Sequence, residues 1–227
     1  MAAIIAVIPA RGGSKRLPGK NILPFLGRPL LAWSIDAARQ SKCLSAVYVS
    51  TDDNQIALVA RKWGAEVIDR PAEFSSDTAS TVDVLRHACG VVAERGLEFS
   101  YVMTLQPTNP LRPKGMLDEA VAQMRAARCD SLMGVSSLAV KMGRIERGLF
   151  RPDYALGQQS RLTEHTFFEN GLIYISPRDA LLRGDLMESR ICAYICARPF
   201  DEVDIDDELD FRIAERIGEM VRDRLPE

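Results

Sequence analysis

The sequence lacks the features of several protein classes. Of its 227 residues only 2 are His and 5 are Cys, an odd number. No Cys-x-x-Cys pair occurs, which disfavours both a zinc site and a disulfide framework, so we expect all five cysteines to be reduced and mostly buried. The longest apolar run near the start, residues 2–8, is far shorter than the ~20 residues that span a bilayer, and it lacks a signal peptide's basic flank. We therefore expect a cytoplasmic protein with no membrane partner.

An excess of charge of one sign is also lacking. The chain has 29 Lys plus Arg against 31 Asp plus Glu, for a net charge of −2. A protein that binds a nucleic-acid backbone usually has an excess of clustered basic residues, so we expect no nucleic-acid partner. The remaining composition, 47% apolar and 26% charged, is typical of an ordinary globular domain.

Short apolar segments alternate with amphipathic stretches along most of the chain. This pattern predicts strands at residues 4–8, 46–50, 65–68, 101–105, 131–135, 171–175 and 191–196. It predicts helices at residues 29–40, from Asp52 or Asp53 to Trp63, and at 81–95, 113–127, 177–183 and 207–224. Strands separated by such helices favour an α/β fold with a doubly wound, mostly parallel sheet, which binds ligands at the carboxyl ends of its strands. We expect one domain over residues 1–227, from which the polar segment 136–169 protrudes as an arm.

The loop after the first strand combines glycines with cations. Three glycines and four cationic side chains lie between Ala10 and Asn21, namely Gly12, Gly13, Gly19, Arg11, Lys15, Arg16 and Lys20. Five residues rather than four separate Gly13 from Gly19, and Asn21 takes the place of the Ser or Thr of a P-loop. The loop also lacks the Gly-x-Gly-x-x-Gly of a dinucleotide site. Its place at a strand end favours a polyphosphate ligand over a merely solvated basic loop.

A second charged segment, residues 201–210, is acidic. If Val203 to Asp206 is extended, Asp204 and Asp206 lie on the same side of the chain. Mg²⁺ prefers one or two carboxylates together with substrate phosphates, so the pair is a candidate magnesium site. The alternative is that Asp206 or Asp207 caps the last helix, although capping explains only one aspartate.

Two further segments follow strands and contain polar residues. In residues 105–112, two prolines hold Gln106, Thr108 and Asn109 in a rigid loop, where they could contact a ligand or only form a turn. In residues 168–175, Asn170-Gly171 indicates a turn before Tyr174, which needs no ligand if it belongs to the core.

Taken together, seven segments resemble the bacterial acylneuraminate cytidylyltransferases, or CMP-sialic acid synthetases. They are spread in order along nearly the whole chain and are residues 8–21, 49–52, 70–73, 76–80, 105–112, 170–175 and 204–206. The resemblance implies transfer of CMP from CTP to the anomeric hydroxyl of a nonulosonic acid, with release of pyrophosphate. It also implies a homodimer formed through the arm at 136–169.

The same resemblance implies roles for individual residues. The implied nucleotide-binding residues are Ala10, Arg11, Gly13, Lys15, Lys20, Asn21, Arg70 and Ser80. The residues at or near the sugar are Gln106, Lys141, Arg161, Asn170 and Tyr174. The implied catalytic residues are Arg11, Lys20 and Asp206, and Asp204 and Asp206 would hold Mg²⁺.

The chain departs from the family pattern at two places. Phe168 and Glu169 stand where relatives often have an arginine for the sugar carboxylate, and an acidic residue would repel that carboxylate. A legionaminic acid, a pseudaminic acid or another deoxy-nonulosonate therefore stays open as the acceptor. Two separate alternatives are transfer of a different nucleotide or to a different acid, such as an octulosonate, and a regulator that binds a nucleotide without catalysis. Asn109 replaces a common serine, which we expect to be a mild change.

Overall fold

The computed structural model describes residues 3–76, 78–138, 140–157, 166–196 and 198–226. Within these ranges the strands are β1 (Ile4–Pro9), β2 (Pro24–Phe25), β3 (Arg28–Pro29), β4 (Leu44–Thr51), β5 (Glu66–Asp69), β6 (Tyr101–Thr104), β7 (Ser131–Leu138), β8 (Gly143–Glu146), β9 (Leu149–Pro152), β10 (Thr166–Pro177) and β11 (Ile191–Ile195). The helices are α1 (Leu30–Gln40), α2 (Asn54–Lys62), α3 (Thr81–Glu94), α4 (Met116–Ala126), α5 (Arg178–Arg183) and α6 (Glu208–Met220). Each predicted strand and helix is present, with shifted ends. In the described ranges no helix combines the length and apolar character needed to cross a membrane.

Seven strands form one sheet in the order β11-β7-β10-β6-β1-β4-β5. β1 is parallel to both β4 and β6, β4 is parallel to β5, and β11 is parallel to β7. β10 is antiparallel to its two neighbours, β6 and β7. The predicted α/β fold with a mostly parallel sheet is therefore confirmed.

Both faces of the sheet are covered, as the continuous apolar run in β1 predicts. Alternate side chains of a strand point to opposite faces. Ile4 and Ile8 pack in the cluster that contains apolar residues of α1, α2, α4 and α6. Ile5 and Val7 pack in a second cluster with residues of α3 and α5. The carboxyl end of β1, where the glycine-rich loop begins, is thereby anchored from both sides.

The arm is shorter than the sequence pattern suggests. β7 extends to Leu138 and β10 starts at Thr166, and these two residues pair in the main sheet. β8 and β9 form a separate two-stranded hairpin between them. The ends of β7 and β10 are polar or exposed, so the apolar pattern that identified the other strands does not mark them.

The expectation that all five cysteines are reduced is wrong for one pair. Cys129 and Cys192 form a disulfide, with their Cα atoms 5.7 Å apart. Cys129 lies just before β7, and Cys192 lies on the adjacent strand β11, paired with Leu132. Because 63 residues separate the two cysteines, their spacing in the sequence does not indicate the pairing. Cys43, Cys89 and Cys196 take no part in this disulfide, and the last two are buried.

Candidate functional site

The glycine-rich loop folds closely over the carboxyl end of β4. The Gly12 N–H donates to Asp52 Oδ1 at 3.0 Å. A Cβ on Gly12 would come within 2.6 Å of Asp53 Oδ2, so only glycine allows this approach. The Asn21 side chain donates to the Arg11 carbonyl at 3.0 Å and joins the two ends of the loop. The loop is therefore held both by the residues that follow β4 and by a contact between its own two ends.

The loop cations meet the acidic segment. Lys20 is 9% exposed, and its Nζ donates to the Ile205 carbonyl at 2.5 Å and lies 3.7 Å from Asp206 Oδ1. The Arg16 guanidinium lies 2.8 Å from Asp206 Oδ2. These distances confirm that the two charged segments converge, although 185 residues separate Lys20 from Ile205. Arg16 was not among the site residues predicted from the sequence, although it was counted as a loop cation.

The acidic segment has the predicted alternation. Val203 and Ile205 are buried at 5% and 0% exposure, which leaves Asp204 and Asp206 on the outer side. The cap of α6 is Asp207, whose side chain accepts from the N–H groups of Leu209 and Asp210 in a capping box. Neither Asp204 nor Asp206 is the cap of this helix, so the capping alternative does not account for the pair.

Burial and charge shape the ionisation of this cluster. Burial lowers the pKa of Lys20, while Asp206 and Asp204 oppose the shift. Burial also raises the pKa of Asp204, and the neighbouring charge of Asp206 adds to this effect. A hydrogen bond with Thr108 and the charge of Lys20 oppose that rise. A further cation near Asp204 would therefore favour its charged form.

A first cleft of about 340 Å³ opens between the glycine-rich loop and the residues that follow β5. Seven of the predicted site residues line it, namely Arg11, Lys15, Lys20, Asn21, Arg70, Gln106 and Asp206. Ala10 and Gly13 do not line this cleft. Ala10 is buried, and its N–H donates to the Ser50 carbonyl. Among the described residues the lining combines several cations with one carboxylate, which suits a polyphosphate with a bound metal.

Two predicted nucleotide-binding residues have structural partners. Arg70 is 8% exposed and donates through Nε to Ser50 Oγ at 3.1 Å and through Nη2 to the Ser50 carbonyl. Burial lowers the pKa of Arg70 to about 10. Ser80 does not line the first cleft but caps α3, where its Oγ accepts from the Asp83 N–H at 3.1 Å. Arg70 is thus positioned at the cleft wall, and Ser80 lies just outside it.

A second cleft of about 300 Å³ shares Gln106 with the first. Asp204, Asn170 and Tyr174 also line it. The Tyr174 hydroxyl donates to Glu169 Oε1 at 2.5 Å, and burial, followed by this hydrogen bond, raises the pKa of Tyr174. Gln106, Asn170 and Tyr174, three of the predicted sugar-side residues, are therefore brought together.

The other sugar-side predictions differ in outcome. The Asn170 amide donates to Ser136 Oγ at 3.0 Å and accepts from the Leu172 N–H at 3.1 Å, so both ends of the amide already have protein partners. Lys141 lines neither of the two clefts, and its Nζ lies 5.3 Å from the centre of the Tyr154 ring. Arg161 lies outside the described residues.

Sequence reasoning missed the role of Arg112, which is 0% exposed. Its guanidinium donates to the Leu172 carbonyl at 2.8 Å, to Ser34 Oγ at 2.9 Å and to the Gln106 carbonyl at 3.0 Å. It thus connects β10 and α1 to the loop that carries Gln106. The signals in the sequence were its place in a proline-flanked segment after a strand and the resemblance of residues 105–112 to the family.

Asn109 has a larger role than a mild replacement for serine. It is 1% exposed, and its Nδ2 donates to the carbonyls of Asn170 at 3.0 Å and Val203 at 2.7 Å. A serine hydroxyl has one proton and cannot donate to both carbonyls. Asn109 therefore fixes the position of the acidic segment relative to β10. The second cleft lies between these two parts of the chain.

Comparisons with known proteins agree with this arrangement. A sequence model of the family described as cytidylyltransferase matches residues 5–220. The chain is 33% identical over 220 residues to N-acylneuraminate cytidylyltransferase of Escherichia coli O18:K1:H7, covering 93% of this chain and 51% of that protein. It is 31% identical over 230 residues to CMP-N,N'-diacetyllegionaminic acid synthase of Legionella pneumophila, covering 98% and 99% of the two chains. The chain thus spans about half the length of the first relative.

The fold has a counterpart among solved structures. CMP:2-keto-3-deoxy-manno-octonic acid synthetase, solved with CTP, matches with a TM-score of 0.70 at 20% identity over 96% of this chain and 99% of that one. At this identity the likeness concerns the fold alone. The family match over residues 5–220 carries the assignment. The chain therefore belongs to the cytidylyltransferase family, as its resemblance to the CMP-sialic acid synthetases predicts.

Proposed function

We propose that this protein transfers CMP from CTP to the anomeric hydroxyl of a nonulosonic acid and releases pyrophosphate. The observation that carries the proposal is the contact of Lys20 and Arg16 with Asp206, at a point where the two clefts approach each other. The first cleft would hold CTP, and the second would hold the acid. The relatives named for sialic and legionaminic acids support this choice of acceptor.

The residues of the first cleft would act by positioning and charge. The acceptor oxygen attacks the α-phosphorus, the bond from that phosphorus to the oxygen bridging to the β-phosphorus breaks, and pyrophosphate leaves. Phosphoryl-type transfers need little covalent help, so neutralisation of the developing charge dominates catalysis. Arg11, Lys15 and Lys20 would clamp the triphosphate and stabilise the departing pyrophosphate. Asp206, or a water molecule at the site, would accept the proton of the attacking hydroxyl.

Asp204 and Asp206 would hold the Mg²⁺ that the family resemblance implies. The donor set fits the ion, because carboxylate oxygens are hard ligands and a cation would offset the cost of placing two carboxylates close together. In the described part of the chain no three His, Cys, Asp or Glu side chains form a metal cluster, so substrate oxygens and water would complete the coordination. When bound, the ion would neutralise phosphate charge and make the attacking hydroxyl more acidic.

We also propose a homodimer that works in the cytoplasm, where CTP is available. The hairpin of the arm exposes large apolar side chains. Ile145, 71% exposed, and Phe150, 53% exposed, pair across the hairpin and therefore lie on the same face. Contiguous exposed apolar side chains are typical of a surface that another chain covers. Sedimentation of the protein at micromolar concentration would test the dimer directly.

The reaction can be tested by pyrophosphate release with each nucleoside triphosphate and a panel of 2-keto sugar acids. We expect release only with CTP and a nonulosonic acid. Lys20→Ala and Asp204→Ala should each lower kcat by about a hundredfold or more with the fold intact, whereas Lys62→Ala, at an exposed lysine on α2, should keep parental turnover. Near-normal turnover in Lys20→Ala or Asp204→Ala would refute the assignment. Measurable CTP binding without release from any acid would instead indicate a regulator.

A further inference from the structure

The wall of the second cleft formed by β10 and the acidic segment carries acids. Among the residues that the structure describes, the ionisable groups that line this cleft are Glu169, Tyr174, Asp201 and Asp204. No described lysine, arginine or histidine is among its lining residues. A sugar acid brings a carboxylate of its own, which the like charges of Glu169 and Asp201 would repel from the part of this wall remote from the proposed metal ligand Asp204.

The hydrogen bond between Tyr174 and Glu169 sets which groups this wall can bind. The Tyr174 hydroxyl donates its single proton to Glu169 Oε1 at 2.5 Å. Tyr174 therefore offers a ligand only lone pairs, as does the carboxylate of Glu169. Both side chains are placed by the sheet, since Glu169 pairs with Val135 and Tyr174 pairs with Thr104. The wall thus presents hydrogen-bond acceptors at fixed positions.

Asp201 gives an independent indication that a donor belongs here. Its Oδ1 is buried and has no hydrogen-bond partner among the described residues. Buried polar atoms without partners are rare, because leaving one unpaired costs free energy. Asp201 lines the second cleft, so rotation of its carboxylate would bring this oxygen to an N–H or O–H group of a bound molecule.

We propose that the second cleft binds the hydrogen-bond-donating side of its sugar acid and prefers an acceptor with a cationic nitrogen, an ammonium or amidinium, facing Glu169. This inference rests on the proposed function and adds the acceptor's chemical class to it. The sugar's own carboxylate lies away from this wall. Glu169 is then the residue that determines specificity, because its charge distinguishes a cationic nitrogen from a neutral amide at the same carbon.

The test compares acceptors that differ at one nitrogen. The two members of each pair of nonulosonic acids differ at one carbon, which carries an N-acetyl group in one and a free amine in the other, and there is one pair for each nitrogen-bearing carbon. At saturating CTP, kcat/KM is measured for both members. The preference is the ratio of kcat/KM for the amine to kcat/KM for the N-acetyl compound. For one pair the parent should prefer the amine by about tenfold. In Glu169→Gln, which keeps an oxygen for Tyr174 but removes the charge, the preference should fall to about one. Glu98→Gln, at an exposed glutamate remote from the cleft, is the control and should keep the parental ratio.

The ratio of two substrates in one preparation does not depend on how much of the protein is folded. A parent that prefers the N-acetyl member of every pair would overturn the inference, as would a preference that survives in Glu169→Gln. Either result leaves the proposed function standing, because the parent is still active. A parent that releases no pyrophosphate with any acid would remove both the proposed function and this inference.

Discussion

Arg112 offers the sharpest test of how the site is held together. Its guanidinium is fully buried and donates to three acceptors on three segments, Leu172, Ser34 and Gln106. Burial lowers its pKa to about 9. Arg112→Lys keeps a cationic group of similar length, but an ammonium group has no planar fork and reaches only one of these acceptors with good geometry.

The expected loss of stability follows from the acceptors left behind. The Gln106 carbonyl also accepts from the Asn109 N–H at 3.2 Å, so the loss falls mainly on the Leu172 carbonyl and Ser34 Oγ. A buried oxygen that loses its donor costs about 1–3 kcal/mol, so we expect Arg112→Lys to lower the free energy of unfolding by about 3 kcal/mol. A domain of ordinary stability, about 5–15 kcal/mol, would stay folded at 25 °C. Urea denaturation measures this change, with Arg125→Lys, at an exposed position on α4, as the matched control.

The same substitution should lower activity through Gln106. Because Gln106 lines both clefts and its carbonyl accepts from Arg112, a shift of its loop by about 1 Å would cost about a hundredfold in kcat. Arg112 is a positioning residue, so kcat should fall more than the KM for CTP rises, and Arg112→Ala should be more impaired than Arg112→Lys. Parental stability together with parental kcat in Arg112→Lys would refute this reasoning.

Two further predictions concern stability. Gly171 has a φ of +75°, and a Cβ there would lie 2.6 Å from Asn109 Oδ1. Gly27 is the control, because its φ of +87° is similar but nothing lies within 4 Å of a Cβ built there. Gly171→Ala should therefore lower the free energy of unfolding by about 2 kcal/mol more than Gly27→Ala, and equal losses in urea denaturation would contradict this. Burial raises the pKa of Asp118, but hydrogen bonds from the Ser41 hydroxyl and nearby backbone N–H groups outweigh it, and the net pKa is lowered from 3.8. The stabilisation by charged Asp118 is therefore present above pH 3.8 and is lost as the pH falls through the lower pKa of the folded state. Asp118→Asn should lower the free energy of unfolding by about 1 kcal/mol at pH 7. In urea titrations near pH 3, the difference in unfolding free energy between the parent and Asp118→Asn should be smaller. A gap that is the same at both pH values would contradict this assignment.

Much of the site was predictable because its parts are local in the sequence. The glycines and cations between Ala10 and Asn21 directly follow an apolar strand, and Asp204 and Asp206 flank an apolar residue. In a parallel sheet, segments that follow different strands meet at the same edge. The pattern of strands and helices therefore predicts the meeting of Lys20 with Asp206, without any knowledge of distances.

Other features depended on contacts that no local pattern records. Apolar alternation does not mark the polar ends of β7 and β10, so the sequence pattern assigned these ends to the arm. The structure shows that they pair in the main sheet. The hydrogen bond of Tyr174 to Glu169 depends on which way two side chains of one strand turn. That hydrogen bond determines whether the wall of the second cleft donates or accepts.

The sequence by itself determined the fold class and the two charged segments, since apolar periodicity and residue type act over a few neighbouring positions. Only the tertiary structure decided which residues hold those segments in place. Arg112 reaches Leu172 across 60 residues, Asn109 reaches Val203 across 94, and Cys129 pairs with Cys192 across 63. Such pairings require the register of neighbouring strands and the path of each crossover, which arise only when the whole sheet has formed.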